Sequence, residues 1–375
     1  MWITTASGIT LYDLQTFKTI HYINDSNNPN SLIDNGILSI YQSKDGIMWF
    51  GTYNSGVTYM LPNPERFHNI SANKASGLSY NIVTAISAKD KDHLFIGTAG
   101  GGLNILDLKS KKASRVANFD QQQIPAVLTD RDGNIWVGTS GIKHYNAQKK
   151  TWQHFLNSDT DTNTLSSNTI HKIMQDHQGK IWVATRSGLD YFNPQTGKFA
   201  RTNFWGNPKP VQTIFEDSKR NIWVSANSLD GNSKNSTLIL ENGSDKPRPI
   251  PIDETNNTPA RYITHFHEDI HGHIWAVGGK LLKYNPKRKV MELYELDALY
   301  NRSAEVISIQ SDKQGRLWIS MSNHLAMLDT KTKKVIHFSK TDGVLGNEFN
   351  SNSSYQDSNG NLYHGTNQGI LYFNP

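Results

Sequence analysis

His267-Glu268-Asp269-Ile270-His271 has the His-Glu-x-x-His spacing. On a helix it sets two imidazoles one turn apart over zinc, with the glutamate as base. The flanking pattern is extended: Gly272 and Trp275 follow at the spacing of a repeat, and a strand does not project residues four apart toward one ion. No metal site and no cofactor is therefore expected, although His265, His267, His271 and His273 form a cluster open to adventitious zinc or nickel. Gly100-Gly101-Gly102 lacks the Lys-Ser/Thr of a phosphate loop and reads as a turn. Asp45, Asp130, Asp132, Asp176 and Asp217 recur at one turn of successive repeats. Catalysis needs a unique constellation, so these carboxylates read as turn residues and the chain as non-enzymatic.

The residues suited to holding a ligand are polar and non-repeated. Tyr53, Asn54, Arg186, Asn227, Asn323, Asn367 and Gln368 follow one class of strand, and Asn35, Asn81, Asn168, Arg261 and Tyr262 precede another. Amides and guanidinium groups suit sugar hydroxyls, and tyrosine offers a stacking face. From these, Tyr53, Asn54, Arg186, Asn227, Arg261, Tyr262, Asn323 and Gln368 are the candidate ligand residues.

What positions them is a repeat. Trp49-Phe50-Gly51-Thr52 matches Phe95-Ile96-Gly97-Thr98 and Trp136-Val137-Gly138-Thr139, with weaker copies around Trp2, Trp182, Trp223, Trp275, Trp318 and Tyr363. The anchors are spaced 41 to 52 residues apart, the period of propeller blades. Each repeat reads as four short strands, A to D. An Asp/Gly turn joins A to B, the anchor lies on B, and a Gly-containing turn leads to C; the Asp and Gly supply turn hydrogen bonds and positive φ. The expectation is an all-β fold: a β-propeller of four-stranded antiparallel blades with strand A innermost and the tryptophans wedged between blades. Eight blades follow from the repeat count; the alternative is seven blades plus part of a neighbouring propeller. Residues 1–30 read as a partial blade, strands B to D of an excised fragment's first repeat. Residues 31–375 read as propeller repeats with the last one incomplete.

Composition narrows the classes. The 375 residues contain no cysteine, which excludes disulfides and thiolate sites. No apolar run reaches the eighteen residues a membrane helix needs, and no signal peptide is evident. The formal charge is +5. Its lysines cluster at C–D turns (Lys109/Lys111/Lys112, Lys149/Lys150, Lys287/Arg288/Lys289, Lys331/Lys333/Lys334), on the face that also carries the A–B aspartates. That is not the uninterrupted basic stripe nucleic acid requires.

Asp-x-x-Gly-x-x-Trp-x-Gly-Thr followed by Gly-Leu and an aromatic-Asn/Asp resembles the two-component regulator propeller repeat. Asp130 to Thr139 with Gly141 to Asn146 is the clearest copy, then Asp176 to Thr185 with Gly188 to Asn193. Leu78-Ser79-Tyr80-Asn81 and Leu165-Ser166-Ser167-Asn168 resemble the family's lead into strand A. Gly343 to Asn350 and Gly369 to Pro375 look like the last blade before an Ig-like domain. The copies at 223, 275 and 318 lack the full Gly-Thr. The resemblance implies a periplasmic ligand-sensing or signal-coupling region of a bacterial membrane receptor of the hybrid histidine kinase type, joined to the membrane only through flanking segments. It further implies an oligosaccharide ligand and a homodimer in the full receptor. The alternatives are a propeller-type carbohydrate-active enzyme, lyase or hydrolase, and a pure interaction scaffold.

Overall fold

The computed structural model describes residues 1–26, 31–43, 47–60, 66–227, 236–253, 263–294, 304–344 and 348–375. The chain divides into two compact units. Unit 1 comprises Met1–Phe67 with Thr341–Gly343, and unit 2 comprises His68–Lys340 with Val344–Pro375. Among the described residues, nine antiparallel sheets account for nearly all the regular structure. The one helix among the described residues is a 3-10 turn at Lys340–Asp342.

Unit 1 holds two three-stranded sheets. The first is β1 (Trp2–Thr5), β2 (Gly8–Tyr12) and β3 (Thr19–Tyr22); the second is β4 (Ile37–Gln42), β5 (Met48–Thr52) and β6 (Val57–Met60). Unit 2 begins with a three-residue strand, β7 (His68–Ile70). Six four-stranded meanders follow. They are β8 (Val83–Ala88), β9 (His93–Thr98), β10 (Leu103–Asp107), β11 (Ala113–Arg115); then β12 (Ala126–Thr129), β13 (Ile135–Thr139), β14 (Gly141–Asn146), β15 (Thr151–Phe155). Next come β16 (Ile170–Gln175), β17 (Ile181–Thr185), β18 (Gly188–Asn193), β19 (Lys198–Arg201); then β20 (Val211–Glu216), β21 (Ile222–Ala226), β22 (Thr237–Leu240), β23 (Arg248–Pro249). The last two are β24 (His265–Glu268), β25 (Ile274–Val277), β26 (Leu281–Asn285), β27 (Val290–Leu293); and β28 (Val306–Ser311), β29 (Leu317–Met321), β30 (Leu325–Leu328), β31 (Val335–Phe338).

The seventh sheet of unit 2 is assembled from both ends of that unit. β32 (Phe349–Gln356), β33 (Leu362–Thr366) and β34 (Gly369–Phe373) are completed by β7, with Ile370 opposite Ile70 and Tyr372 opposite His68. This is why the β4–β6 sheet stops at three strands: the strand next in sequence pairs 300 residues away. The first strands of the seven sheets touch in sequence, β8 to β12 and so on to β32, and β32 touches β8. The sheets are thus arranged as propeller-like blades.

The anchors explain the packing. Trp136 clusters with Ile170, Ile181 and Val183 of the following sheet; Trp182 with Val211, Ile214 and Val224; Trp223 with Phe266 and Ile274; Trp275 with Ile309 and Leu317. Tyr363 of the last sheet clusters with Val83, Leu94 and Ile96 of the first. Each indole also donates to the aspartate six residues earlier. Trp136 bonds Asp130, Trp182 Asp176, Trp223 Asp217, Trp275 Asp269 and Trp318 Asp312, all at 2.8–2.9 Å. The other oxygen of each carboxylate takes backbone N–H groups of its own turn, as Asp176 does from Gln178 and Lys180. Losing a buried aromatic typically costs about 3–5 kcal/mol, against about 1.5–3 for a hydrogen bond to a charged group. Packing therefore holds the sheets together, and the aspartate orients the ring.

Trp49 departs from the expectation of burial, being 38% exposed. The alternate residues Met48 and Phe50 pack against the β1–β3 sheet with Ile9 and Trp2. Trp49 points the other way and pairs with Tyr59, and among the described residues unit 1 has no third sheet to cover that face. Its turn also carries Ser43 where those of Trp136, Trp182, Trp223, Trp275 and Trp318 carry aspartate. The Asp45 turn itself lies outside the described residues.

Candidate functional site

The His-Glu-x-x-His residues do not converge. His267 Nε2 meets Ser311 Oγ at 2.8 Å, while Glu268 turns to the neighbouring sheet and accepts from the Ser218 N–H and hydroxyl at 2.6 Å. His271 contributes only its backbone N–H, to Asp269, and His273 bonds the same carboxylate. Among the described residues no group of three or more His, Asp or Glu side chains is placed to hold a metal.

Three of the loop asparagines are structural staples. The side-chain carbonyl of Asn35 accepts the N–H of Asn24, Asn81 that of Ala72, and Asn168 that of Asn157, at 2.6–2.7 Å. The serine of each Leu-Ser-x-Asn lead bonds strand C of its own sheet. Ser79 pairs with Asn104, and Ser166 donates both its N–H and its hydroxyl to Asp190. Asp190 is fully buried with its other oxygen unpartnered. Burial raises its pKa to about 6 against the opposing Ser166 hydrogen bonds and the Arg201 charge.

The residues after strand B share one backbone arrangement. The N–H groups of Tyr53, Arg186, Asn227 and Asn367 donate to carbonyls of Gly36, Thr169, Pro210 and Glu348, each at the approach to strand A. They therefore occupy equivalent rim positions, one per sheet. Tyr53 and Asn54 line a cavity of about 430 Å³ in unit 1 with Asp34 and Asn35. Arg186, Asn323 and Gln368 are exposed on three different sheets of unit 2; Asn323 bonds His324, and the Gln368 carbonyl accepts from Ser71. Arg261 and Tyr262 lie outside the described residues.

A larger cleft, about 910 Å³, opens in unit 2 between the β12–β15 and β16–β19 sheets, at the end of the sheets that carries Arg186. Gln122, Gln123 and Pro125 enter from the loop before β12, and Asn168, Thr169 and His171 from the approach to β16. Thr139, Ser140, Lys143 and His154 line the first sheet's side. The turn from β13 to β14 is a single residue, Ser140, bridged to Thr169, so the rim is low there. His154 Nε2 lies 2.8 Å from the Ser140 carbonyl, and His171 Nδ1 2.7 Å from that of Val211. Lys143 donates to the Asn118 carbonyl while lying over Phe119. The Gln122 side-chain oxygen is buried without a partner. Trp152, 42% exposed, packs on Phe119 and on Tyr145 opposite it, two residues from His154 on the same face of β15. The lining offers amide, hydroxyl and imidazole groups and the Lys143 ammonium, and no carboxylate. It can therefore hold a polar ligand by hydrogen bonds, with Trp152 as a nearby stacking surface. Of the sequence candidates only Asn168 lines this cleft; the Arg186 N–H holds the Thr169 carbonyl behind it, and Arg186 is not part of the lining. Gln122 and Gln123 were missed although the lead into β12 signals them, since Gln121-Gln122-Gln123 breaks the Leu-Ser-x-Asn pattern there.

Residues 31–54, 118–141 and 164–187 match the two-component regulator propeller family. These three segments carry that repeat. Two of them, together with the loop before β12 and the turn after β13, border the cleft. The chain is 27% identical over 338 residues to a curated protein named histidine kinase P4 from Formosa agariphila, covering 82% of this chain and 23% of that protein. Its fold is similar to the extracellular domain described as belonging to a hybrid two-component system of B. thetaiotaomicron: TM-score 0.74, 23% identity, all of this chain and 50% of that one. It is also similar to a streptogramin B lyase: TM-score 0.63, 12% identity, 82% and 96% of the two chains. The chain thus spans half or less of the receptor proteins it matches, and the fold is shared by sensors and by a lyase.

Proposed function

We propose that this chain is a non-enzymatic, extracytoplasmic ligand-sensing region of a two-component-type receptor, and that its ligand is an oligosaccharide bound in the cleft between the β12–β15 and β16–β19 sheets. The observation that carries this reading is the cleft itself: a volume suited to a few sugar rings, lined by Gln123, Asn168, His154 and hydroxyl groups without a carboxylate pair, beside the exposed indole of Trp152. We further propose that the seven sheets of unit 2 close into a seven-bladed ring through β7, and that the two sheets of unit 1 belong to a neighbouring propeller. The cyclic contacts of the first strands and the uncovered Trp49 face support this. Similarity to the extracellular domain of a hybrid two-component system supports the receptor assignment, since repeat, fold and length relation agree.

Calorimetry of the whole chain against a glycan panel tests the reading, with an activity assay on the same panel. Binding is expected with no product release. The double variant Gln123→Ala/Trp152→Ala is expected to weaken binding at least tenfold without lowering the melting temperature, because both side chains are exposed. Product release from any glycan would replace the sensor reading with a lyase or hydrolase. Binding unaffected by the double variant would move the site elsewhere on the rim.

A further inference from the structure

Strand β32 differs from the other first strands in its bulge. In β8, β16, β20 and β28 one residue is extra against the second strand, whereas between Phe349 and Ser354 the register slips over Asn350 to Ser353. This wide bulge reaches across the inner strands. Asn350 Nδ2 donates to the Val83 carbonyl of β8 at 2.7 Å, and Asn352 Nδ2 to the His171 carbonyl of β16 at 2.9 Å. The Ser351 carbonyl lies 3.2 Å from His265 Nδ1 of β24. Two adjacent bulge residues therefore tie together the strands that carry Lys172 and His265.

Lys172 Nζ has one hydrogen-bond partner among the described residues, Thr213 Oγ1 at 3.4 Å, and no carboxylate within ion-pair distance. The equivalent positions on the other six inner strands carry Ala85, Ala126, Thr213, His265, Ser308 and Ser353. Ser308 Oγ is buried without a partner. His265 feels the charges of both Lys172 and His267, and all three groups are basic. Lys172 is half-buried; even partial burial of an ammonium without a counter-charge is unfavourable, and here it draws the Lys172 pKa down to about 8. Burial, then the Lys172 and His267 charges, pushes His265 down to about 3, although backbone carbonyls at both ring nitrogens favour the doubly protonated ring. One negative group would relieve both tensions.

We propose that the inner strands of unit 2, beneath the Asn350–Ser353 bulge, form a binding site for a carboxylate or sulfate group, with Lys172 as its ion-pair partner and His265 and Thr213 beside it. The site is separate from the rim cleft and does not depend on the ligand assigned there. The anion is either free in solution or borne by an acidic sugar.

Calorimetric titration of the whole chain with sulfate and with glucuronate, in a chloride background of constant ionic strength, measures the binding directly. Saturable binding near one equivalent is expected for at least one of them. Thermal melts in the same solutions provide the control: sulfate stabilises most proteins by exclusion, so the diagnostic quantity is the part of the melting shift lost in Lys172→Met and kept in Lys172→Arg. Response to sulfate identifies a free oxoanion as sufficient, and response to glucuronate alone points to a sugar-borne carboxylate. No saturable heat with either anion, or an equal shift in wild type and Lys172→Met, overturns the proposal. Should Lys172→Met not fold, Thr213→Val serves instead, with a weakened affinity expected and an unchanged one counting against the site.

Discussion

At the scale of single residues, the sequence made the turn aspartates and anchor tryptophans legible through repetition, because the same solution is written many times. The indole-to-carboxylate bond was not legible, since nothing in the spacing of Asp176 and Trp182 says that the ring turns back over its own hairpin. Asp190 shows a different limit. It occupies the place that Asn104 holds two sheets earlier, facing a serine N–H and hydroxyl. A neutral amide suits that buried site better than a carboxylate with one oxygen unpartnered. With a folded-state pKa of about 6 and an ordinary value near 3.8, the folded protein binds more protons than the unfolded chain between those limits. Stability therefore falls as pH rises through that window, and the full penalty stands above it. Asp190→Asn is expected to stabilise the protein at pH 7.5 by about 1–3 kcal/mol, with the gain gone by about pH 4. Urea unfolding of both proteins at the two pH values measures this. A gain that is independent of pH, or a loss at pH 7.5, would contradict the account.

At the scale of elements, strand order within each sheet followed from the sequence because hairpins are local. The destination of β7 did not, because a three-residue strand carries almost no pattern and its partner is at the other end of the unit. The nine anchors correspond to nine sheets among the described residues, yet the repeats read as incomplete at both ends of the chain. The structure resolves this by taking the last strand of one repeat for another sheet: Ile70, buried, sits opposite Ile370 and joins the cluster around Tyr363 and Leu94. That strand should therefore govern the cohesion of unit 2 out of proportion to its length. A chain beginning at Ser71 removes Ile70 and exposes the β34 edge. It is expected to lose several kcal/mol relative to one beginning at His68, since a deleted buried isoleucine alone typically costs about 2–5 kcal/mol. Chemical denaturation of the two chains compares them directly, and equal midpoints would mean that β7 contributes no closure.

At the scale of the whole molecule, apolar exposure is unevenly shared. Among the described residues, fourteen of the nineteen exposed large hydrophobic side chains belong to the first 59 residues, so unit 1 carries most of the apolar surface. Its second sheet presents Tyr41, Trp49 and Tyr59 as a row of cross-strand neighbours. In unit 2 the equivalent row Met174, Trp182 and Tyr191 joins the cluster of the next sheet. A contiguous aromatic row of this kind favours association with any complementary apolar surface. The chain of 375 residues is thus expected to self-associate as its concentration rises, through unit 1 and not through the polar rim of unit 2. Sedimentation velocity over a concentration series tests this in three proteins: the whole chain, its Tyr41→Lys/Trp49→Lys variant, and the chain beginning at His68. The whole chain should show a concentration-dependent rise in sedimentation coefficient, and the other two should stay monomeric. The substituted pair is exposed in the monomer, so its melting temperature should change little, which separates lost association from lost folding. Association that persists in the chain beginning at His68 would place the self-contact on unit 2, and would make pairing of propellers a property of the same body that carries the cleft.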